Sequence, residues 1–259
     1  MTPGLISILV PCYNQGMYLK ETIQSALASS YRPIEIIIIN DGSTDNSLEI
    51  AKKLEDQHPE VRVLDQTNSG VTKARNAGIA AAQGEYLLPL DGDDLIAPNY
   101  IEQGLAILAT RPEVKVVYCQ AEKFTETTRK PWKLKPFSLQ QLAKDNMIFV
   151  SALFRKADAL AVGGFSEDMQ LGREDWEFWI KLLKNGGEVV QLPLVGFFYR
   201  LTPTSKRKKT GGTTFKKARI AYLNAKHADF FERELNGPLR IQRSWSKPYN
   251  TLLKLFRKL

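Results

Sequence analysis

Five short runs of consecutive apolar, mostly β-branched residues punctuate the first half of the chain, at 5–10, 34–39, 61–64, 86–90 and 114–118. Apolar residues at successive rather than alternate positions are the mark of strands buried on both faces. Between them lie stretches with helical spacing, at 18–28, 43–54, 71–82 and 99–109. This alternation predicts an α/β domain whose mostly parallel central sheet is flanked by helices. Ligands of such sheets bind beyond the carboxyl ends of the strands. The residues that directly follow each run are therefore the first candidates for chemistry.

The second half is less regular. Residues 125–136 are polar and basic, contain Pro131 and Pro136, and predict a loop. A strand is expected at 149–154, and a helix from about Glu174 to Lys184, closed by Gly186 and Gly187. Two more strands are expected at 189–192 and 195–199. Lys206, Arg207, Lys208 and Lys209 stand beside Gly211 and Gly212, which predicts a mobile loop, and helical segments close the chain. After Pro248 the spacing puts Tyr249, Leu252, Leu253, Phe256 and Leu259 on one helix face. Lys254 and Lys258 lie opposite, with Arg257 toward the flank. That pattern fits a helix lying in a membrane interface, with Trp245 as an anchor, or one packed on the main domain with its basic side in water. The division expected is a domain over 1–212, in halves of about 1–120 and 121–212, followed by a basic helical extension over 213–259.

Charge sharpens this division. The chain carries a net +8, but residues 200–259 hold 16 Lys and Arg against 3 Asp and Glu, whereas residues 1–199 hold 20 against 25. A mildly acidic body with a strongly basic tail predicts an anionic partner for the tail. Cys12 and Cys119 are far apart, without a CxxC pair, and are expected to be buried and reduced. His58 and His227 are isolated, which leaves little material for histidine-centred metal or triad chemistry. No apolar stretch approaches the length of a membrane span, and the N-terminus lacks the features of a signal segment, so the expectation is a cytoplasmic protein, peripheral at the inner face of the membrane if the tail binds there.

Four polar clusters fall after predicted strands or at a helix start: Pro11-Cys12-Tyr13-Asn14, the run from Asn40 through Asp41 to Asp45, Asp91-Gly92-Asp93-Asp94, and Gly172-Arg173-Glu174-Asp175. Any one of them could be a turn with a helix cap. Several together at the ligand end of one sheet call for another explanation. In Asp91-Gly92-Asp93-Asp94, three mutually repelling carboxylates follow an apolar strand, an arrangement stabilised by a divalent cation with oxygen ligands. A calcium EF-hand loop would need glycine where Ile96 stands. The better fit is Mg²⁺ or Mn²⁺ shared with a diphosphate. Neither GxGxxG nor GxxxxGK[ST] occurs, which removes the usual supports for a dinucleotide dehydrogenase or a P-loop NTPase.

These motifs together resemble family 2 glycosyltransferases. The resemblance rests on Ile8 through Asn14, Ile39 through Asp45, Gly70 through Gly78, Leu90 through Asp94, Gly163-Gly164-Phe165, Arg173 through Trp176, and Tyr199-Arg200, in that order over roughly residues 5–200. It implies a GT-A fold and an inverting, metal-dependent transfer of sugar from a nucleotide-sugar, expected to be a UDP-sugar. The acceptor implied is a lipid-linked or oligosaccharide hydroxyl in surface polysaccharide synthesis. Pro11, Tyr13 and Asn14 would line the base and ribose pocket, and Asp41 would accept a hydrogen bond from the base. Lys73 and Arg75 would sit near the diphosphate. Asp91 would face the ribose and the metal, and Asp93 the metal. Asp175 resembles the catalytic base, with Glu174 its neighbouring candidate. Trp176 and Trp179, three residues apart, fit either sugar stacking or the core.

The chain departs from the family in one place. No histidine follows the Tyr199-Arg200 pair, which puts a third protein metal ligand in doubt; the basic run from Lys206 to Lys209 could meet the diphosphate instead. Among other readings, a nucleotidyltransferase would carry a glycine- and lysine-rich phosphate loop near the first strand. A nucleic-acid-binding protein is opposed by the acidic clusters, so no nucleic-acid partner is expected. An inactive glycan-binding relative would not need both the base and the metal carboxylates.

Overall fold

The structure, a computed structural model, describes residues 1–169, 171–202, 210–256 and 258 of the 259-residue chain. In chain order its elements are β1 (Thr2–Cys12), α1 (Gly16–Leu27), β2 (Ile34–Asp41), α2 (Ser47–Gln57), β3 (Val61–Gln66), α3 (Val71–Ala81), β4 (Gly84–Pro89), β5 (Leu95–Ile96) and α4 (Tyr100–Thr110). There follow β6 (Val114–Phe124), β7 (Arg129–Trp132), α5 (Leu139–Lys144), β8 (Leu153–Arg155), α6 (Lys156–Ala161), α7 (Glu174–Leu183) and β9 (Glu188–Arg200). The last helices are α8 (Thr213–Lys226), α9 (Ala228–Leu235) and α10 (Ser246–Leu255), with a 3₁₀ turn at Arg243–Trp245 before α10. Two compact units emerge. The first comprises Met1–Lys133, Val150–Phe165 and Gly187–Thr202; the second comprises Leu134–Phe149, Ser166–Gly186 and the described part of Pro203–Leu259.

The first unit contains the whole sheet, in the order β3-β2-β1-β4-β8-β6-β9-β5, with β7 paired to β6. β3, β2, β1 and β4 run parallel. The expected parallel sheet is thus found in the half whose strands alternate with helices. Beyond it the sheet becomes mixed, because β8 enters antiparallel to both β4 and β6, and β5 and β7 add antiparallel edges. Ile36, Ile37, Ile38 and Ile39 are all fully buried, as are Ile6, Ile8, Leu9 and Val10 of the adjacent strand. Each such side chain contributes roughly 1.5–3 kcal/mol of burial, which is why these strands lie inside the sheet rather than at its edge.

Several boundaries differ from the sequence reading for local reasons. Helix α2 starts at Ser47 rather than Ser43, because Thr44 and Asp45 donate their amides to the Asn14 side chain. The loop expected over 125–136 contains β7, and Pro131 is tolerated because an edge strand needs no amide on its open side. The two strands expected at 189–192 and 195–199 form the single strand β9. Its register against β6 shifts between the Tyr118–Gln191 and Gln120–Val195 pairs, an irregularity that absorbs Pro193. Of the strand expected at 149–154, only Leu153 and Phe154 belong to β8.

The second unit is helical. Trp176, Phe178 and Trp179 of α7 are fully buried, and the indoles of Trp176 and Trp179 donate to the carbonyls of Leu142 (2.7 Å) and Ile148 (3.0 Å). Both tryptophans are core residues, and the sugar-stacking alternative has no exposed ring to use. His227 Nε2 meets Glu177 Oε1 at 2.9 Å inside this unit, which explains how two polar side chains are buried there. The boundary expected at 212/213 falls within the second unit, to which residues 134–149 and 166–186 also contribute. Among the described residues no helix is long and apolar enough to cross a membrane.

Candidate active site

The loops after β1 and β2 form a single hydrogen-bonded frame in the first unit. Pro11 is buried near the end of β1, while Tyr13 is 49% exposed. Asn14 adopts φ 53° and its amide donates to Ser43 Oγ (3.0 Å). Its side-chain oxygen accepts from the amides of Thr44 (2.8 Å) and Asp45 (3.3 Å). Asp45 accepts from the amides of Gly16 (3.1 Å) and Ser47 (2.9 Å). Burial works to raise its pKa, but the Ser47 hydroxyl and these amides outweigh it and hold the carboxyl below its usual value.

Asp41 is buried and has four donors. Its Oδ1 accepts from Gln66 Nε2 (2.7 Å), the Ser69 amide (2.9 Å) and the Ser69 hydroxyl (3.1 Å); its Oδ2 accepts from the Gly70 amide (2.9 Å). The carboxylate expected to face a base therefore also ties the end of β2 to the loop that starts α3. Gly42 follows with φ 69°, and a Cβ there would meet the Asn68 amide nitrogen at 2.6 Å, so only glycine fits.

Helix α3 carries Arg75 inward and leaves Lys73 exposed. Arg75 is 3% exposed and its Nη2 lies 2.6 Å from Asp91 Oδ1. Its guanidinium also sits 5.3 Å over the centre of the Phe165 ring. The turn after β4 is held by a bond from the Asp94 amide to the Asp91 carbonyl (2.9 Å) and by Thr22 Oγ1 donating to the Gly92 carbonyl (3.1 Å). Gly92 permits a close approach here, since a Cβ would meet Gln15 Oε1 at 2.7 Å.

Asp93 and Asp94 differ from Asp91 in burial. Burial, reinforced by the like charge of Asp91, pushes Asp93 up to about 6. Asp94 is fully buried and is raised well above the usual range, again by burial first and then by its two acidic neighbours. Arg200, at the end of β9, partly offsets this charge. Its amide donates to Asp94 Oδ1 (2.8 Å), its Nε to the Asp93 carbonyl (2.7 Å), and its Nη2 to Glu21 Oε2 (2.5 Å). The Tyr199-Arg200 pair was visible in the sequence, but the anchoring of the acidic turn by Arg200 was not. Glu21 and Gln15 carried no local signal.

In the second unit, Arg173 precedes α7 in the left-handed region (φ 62°), so the chain turns sharply before the helix begins. Glu174 is buried, whereas Asp175 is half-buried. Asp175 Oδ2 accepts from Asn146 Nδ2 (2.7 Å) and its Oδ1 from the Trp176 amide (3.0 Å). Beside Asn146, Asp145 pairs with Arg173 and with Arg243 (2.6 Å to the latter). Burial opposes ionisation of Asp145, but the two guanidiniums prevail and hold its carboxyl below the usual value. Asn146 and Asp145 were missed in the sequence, where they lie about thirty positions before Asp175 in an unmarked stretch.

The structure thus brings Asn14 into contact with the loop after β2, pairs Arg75 with Asp91, and sets Asp93 beside them. The basic run Lys206, Arg207, Lys208 and Lys209 lies outside the described residues. Cys12 and Cys119 are free and buried, with burial raising their thiols to about 11 and 12, which makes both inert.

The family model described as Glycosyl transferase family 2 matches residues 7–163, a span that includes the frame after β1 and β2 and the whole acidic turn. The chain belongs to glycosyl transferase family 2. Among curated relatives, the uncharacterized glycosyltransferase YibD of Escherichia coli K12 is 39% identical over 131 residues. That match covers 51% of this chain but only 38% of YibD, so this chain corresponds to little more than a third of that relative's length. Among solved structures, Staphylococcus aureus TarS 1–349 in complex with UDP-GlcNAc aligns with a TM-score of 0.70 at 18% identity, covering 96% of this chain and 76% of that one. The mannosyltransferase PcManGT of Pyrobaculum calidifontis, in complex with GDP-Man and Mn²⁺, aligns with a TM-score of 0.69 at 18% identity over 97% of this chain and 74% of that one. These two likenesses show the fold, which is of the GT-A type.

Proposed function

We propose that this chain transfers a sugar, with inversion, from a nucleotide-sugar to a hydroxyl of a lipid-linked or oligosaccharide acceptor, in the synthesis of a surface polysaccharide. The observation that carries this reading is the arrangement after β4: Asp91 held by buried Arg75, with Asp93 beside it, at the carboxyl end of a parallel sheet. Nucleotide-sugars bound in the TarS and PcManGT structures support the donor class. A UDP-sugar is the donor to test first.

A divalent cation belongs to this reading, and the residues fit a shared one. Among the described residues no three His, Cys, Asp or Glu side chains are grouped to hold an ion. Asp93, raised by burial and by Asp91, is a carboxyl short of positive charge, and a pair of carboxylates suits an ion that takes its other oxygens from diphosphate and water. Asp91 and Asp93 would hold it. When bound, Mn²⁺ or Mg²⁺ would supply charge neutralisation for the departing nucleoside diphosphate.

The chain's own residues supply the rest. Pro11, Tyr13 and Asn14 line the base and ribose, while Asp41 fixes the loop that begins α3 and accepts from the base at Oδ2, the oxygen that carries the Gly70 amide alone. Arg75 orients Asp91, and Lys73, exposed on the same helix, serves the diphosphate. Asp175 accepts the proton of the acceptor hydroxyl at a carboxylate oriented by Asn146 and by the Trp176 amide. Attack opposite the departing group inverts the anomeric carbon. Glu174, being buried, is assigned a supporting place at the start of α7.

The test is titration calorimetry of UDP, GDP and dTDP, each with and without Mn²⁺, on the native chain and on Asp93→Ala. Metal-dependent binding of one nucleotide, lost in the variant, supports the reading. A folded protein that binds none of them overturns it.

A further inference from the structure

We propose that α10 presents an apolar face that docks onto an anionic phospholipid surface. This goes beyond the glycosyl-transfer reading and stands independently of it. The helix is amphipathic in the inverse of the usual sense. Its buried positions are Ser246 and Asn250, one turn apart, while Trp245, Tyr249, Leu252, Leu255 and Phe256 are 65%, 47%, 48%, 76% and 65% exposed. A surface helix of a globular domain ordinarily does the opposite.

Polar contacts keep it in this orientation. Asn250 Nδ2 donates to the carbonyls of Leu235 (3.1 Å) and Pro238 (2.9 Å), and its oxygen accepts from Arg240 Nε (2.8 Å). The Ser246 hydroxyl accepts from the Arg240 amide (3.3 Å). Arg240 then reaches across to lie 4.9 Å over the Tyr249 ring. Rolling the apolar side inward would break a buried set of hydrogen bonds, so the exposed face is a fixed feature. Spacing of four, three and four residues places Trp245, Tyr249, Leu252 and Phe256 in a single stripe. Such an exposed apolar stripe on a well-anchored helix marks an interaction surface.

Charge identifies the occupant. Residues 236–259 contain six Lys and Arg and no Asp or Glu. A cationic segment attracts anionic headgroups over a distance of about 8–10 Å, close to the diameter of the helix itself, although Lys254 and Arg243 contribute less because they are already paired with Glu232 and Asp145. Trp245 and Tyr249, each with an apolar body and a polar tip, suit the boundary between headgroups and acyl chains. Leu259, assigned to the same face by spacing, and Arg257 on its flank lie outside the described residues.

The test is cosedimentation of the full chain with phosphatidylcholine vesicles, with and without phosphatidylglycerol. The native chain is expected to bind the phosphatidylglycerol vesicles, more weakly as salt is raised. The triple variant Trp245→Ser, Leu252→Ser, Phe256→Ser should lose at least about tenfold in partitioning while keeping its circular dichroism, because all three side chains are already in water. Absence of native binding to the anionic vesicles overturns the proposal, as does a triple variant that binds as well as the native chain. A concentration-dependent dimer abolished by the triple variant, without vesicle binding, assigns the face to a second copy instead.

Discussion

Asp41→Asn separates two roles for this carboxylate, the proposed contact with a nucleotide base and the observed organisation of the loop before α3. The substitution preserves shape but turns one oxygen into a donor. If the new amide takes the place of Oδ2, it faces the Gly70 amide, and two donors meet at a site where Asp41 is only 3% exposed. If it takes the place of Oδ1, it faces three donors, from Gln66 and Ser69. The first orientation is the cheaper. It forfeits one hydrogen bond to a charged group, about 1.5–3 kcal/mol, and leaves a buried amide unsatisfied at about 1–3 kcal/mol, overlapping costs that together come to about 2–4 kcal/mol. At about 2–4 °C per kcal/mol for a domain of this size, the melting temperature without nucleotide should fall by roughly 4–16 °C. Thermal unfolding followed by circular dichroism, with no nucleotide added, reads this directly. A variant that melts with the native protein yet binds nucleotide poorly would refute the loop-organising role and leave base contact as the only function of Asp41.

Asp175→Asn should abolish turnover and leave nucleotide affinity within about twofold, because it removes the proposed proton acceptor and keeps the fold; comparable loss of both, by calorimetry, would make Asp175 structural. Asn146→Ala should lower kcat by roughly tenfold or more and shift the pH–rate profile, with KM for the donor little changed, since Asn146 reaches Asp175 at 2.7 Å; an unaltered profile would refute the positioning role. Arg75→Met should weaken metal-dependent nucleotide binding by releasing Asp91 from its partner, and calorimetry that shows native affinity would count against the assignment. Glu177, despite burial, is held below its usual value by His227 and then by Lys181, so its contribution to stability is present above the unfolded carboxyl pKa of about 4.3 and is lost as pH falls below that. Melting curves between acid and neutral pH should show this decline in the native chain and a shallower one in Glu177→Gln; parallel curves would refute the linkage.

The isoleucine run of β2 and the apolar run of β1 defined interior strands in the sequence because residues buried on both faces must be apolar at every position, a constraint read one residue at a time. The acidic turn Asp91-Gly92-Asp93-Asp94 was legible for the same reason: it follows a buried strand, and a parallel sheet fixes which end of that strand meets ligand. Burial of Cys12 and Cys119 followed from their isolation. Partnership was not legible. The donors that tie Asp41 lie 25 to 29 residues away, Asn146 reaches Asp175 across 29, and Arg200 reaches Asp94 across 106. Their effect depends on distances set only when β2, α3 and β9 are packed. Trp176 and Trp179 fitted both core and sugar platform by spacing, and the choice was made by the carbonyls of Leu142 and Ile148, which receive their indole protons. For α10, the sequence determined that one face is apolar and the segment basic; only the tertiary contacts of Asn250 and Ser246 decided that the apolar face looks outward, because a helical period names the faces without saying which one meets the protein.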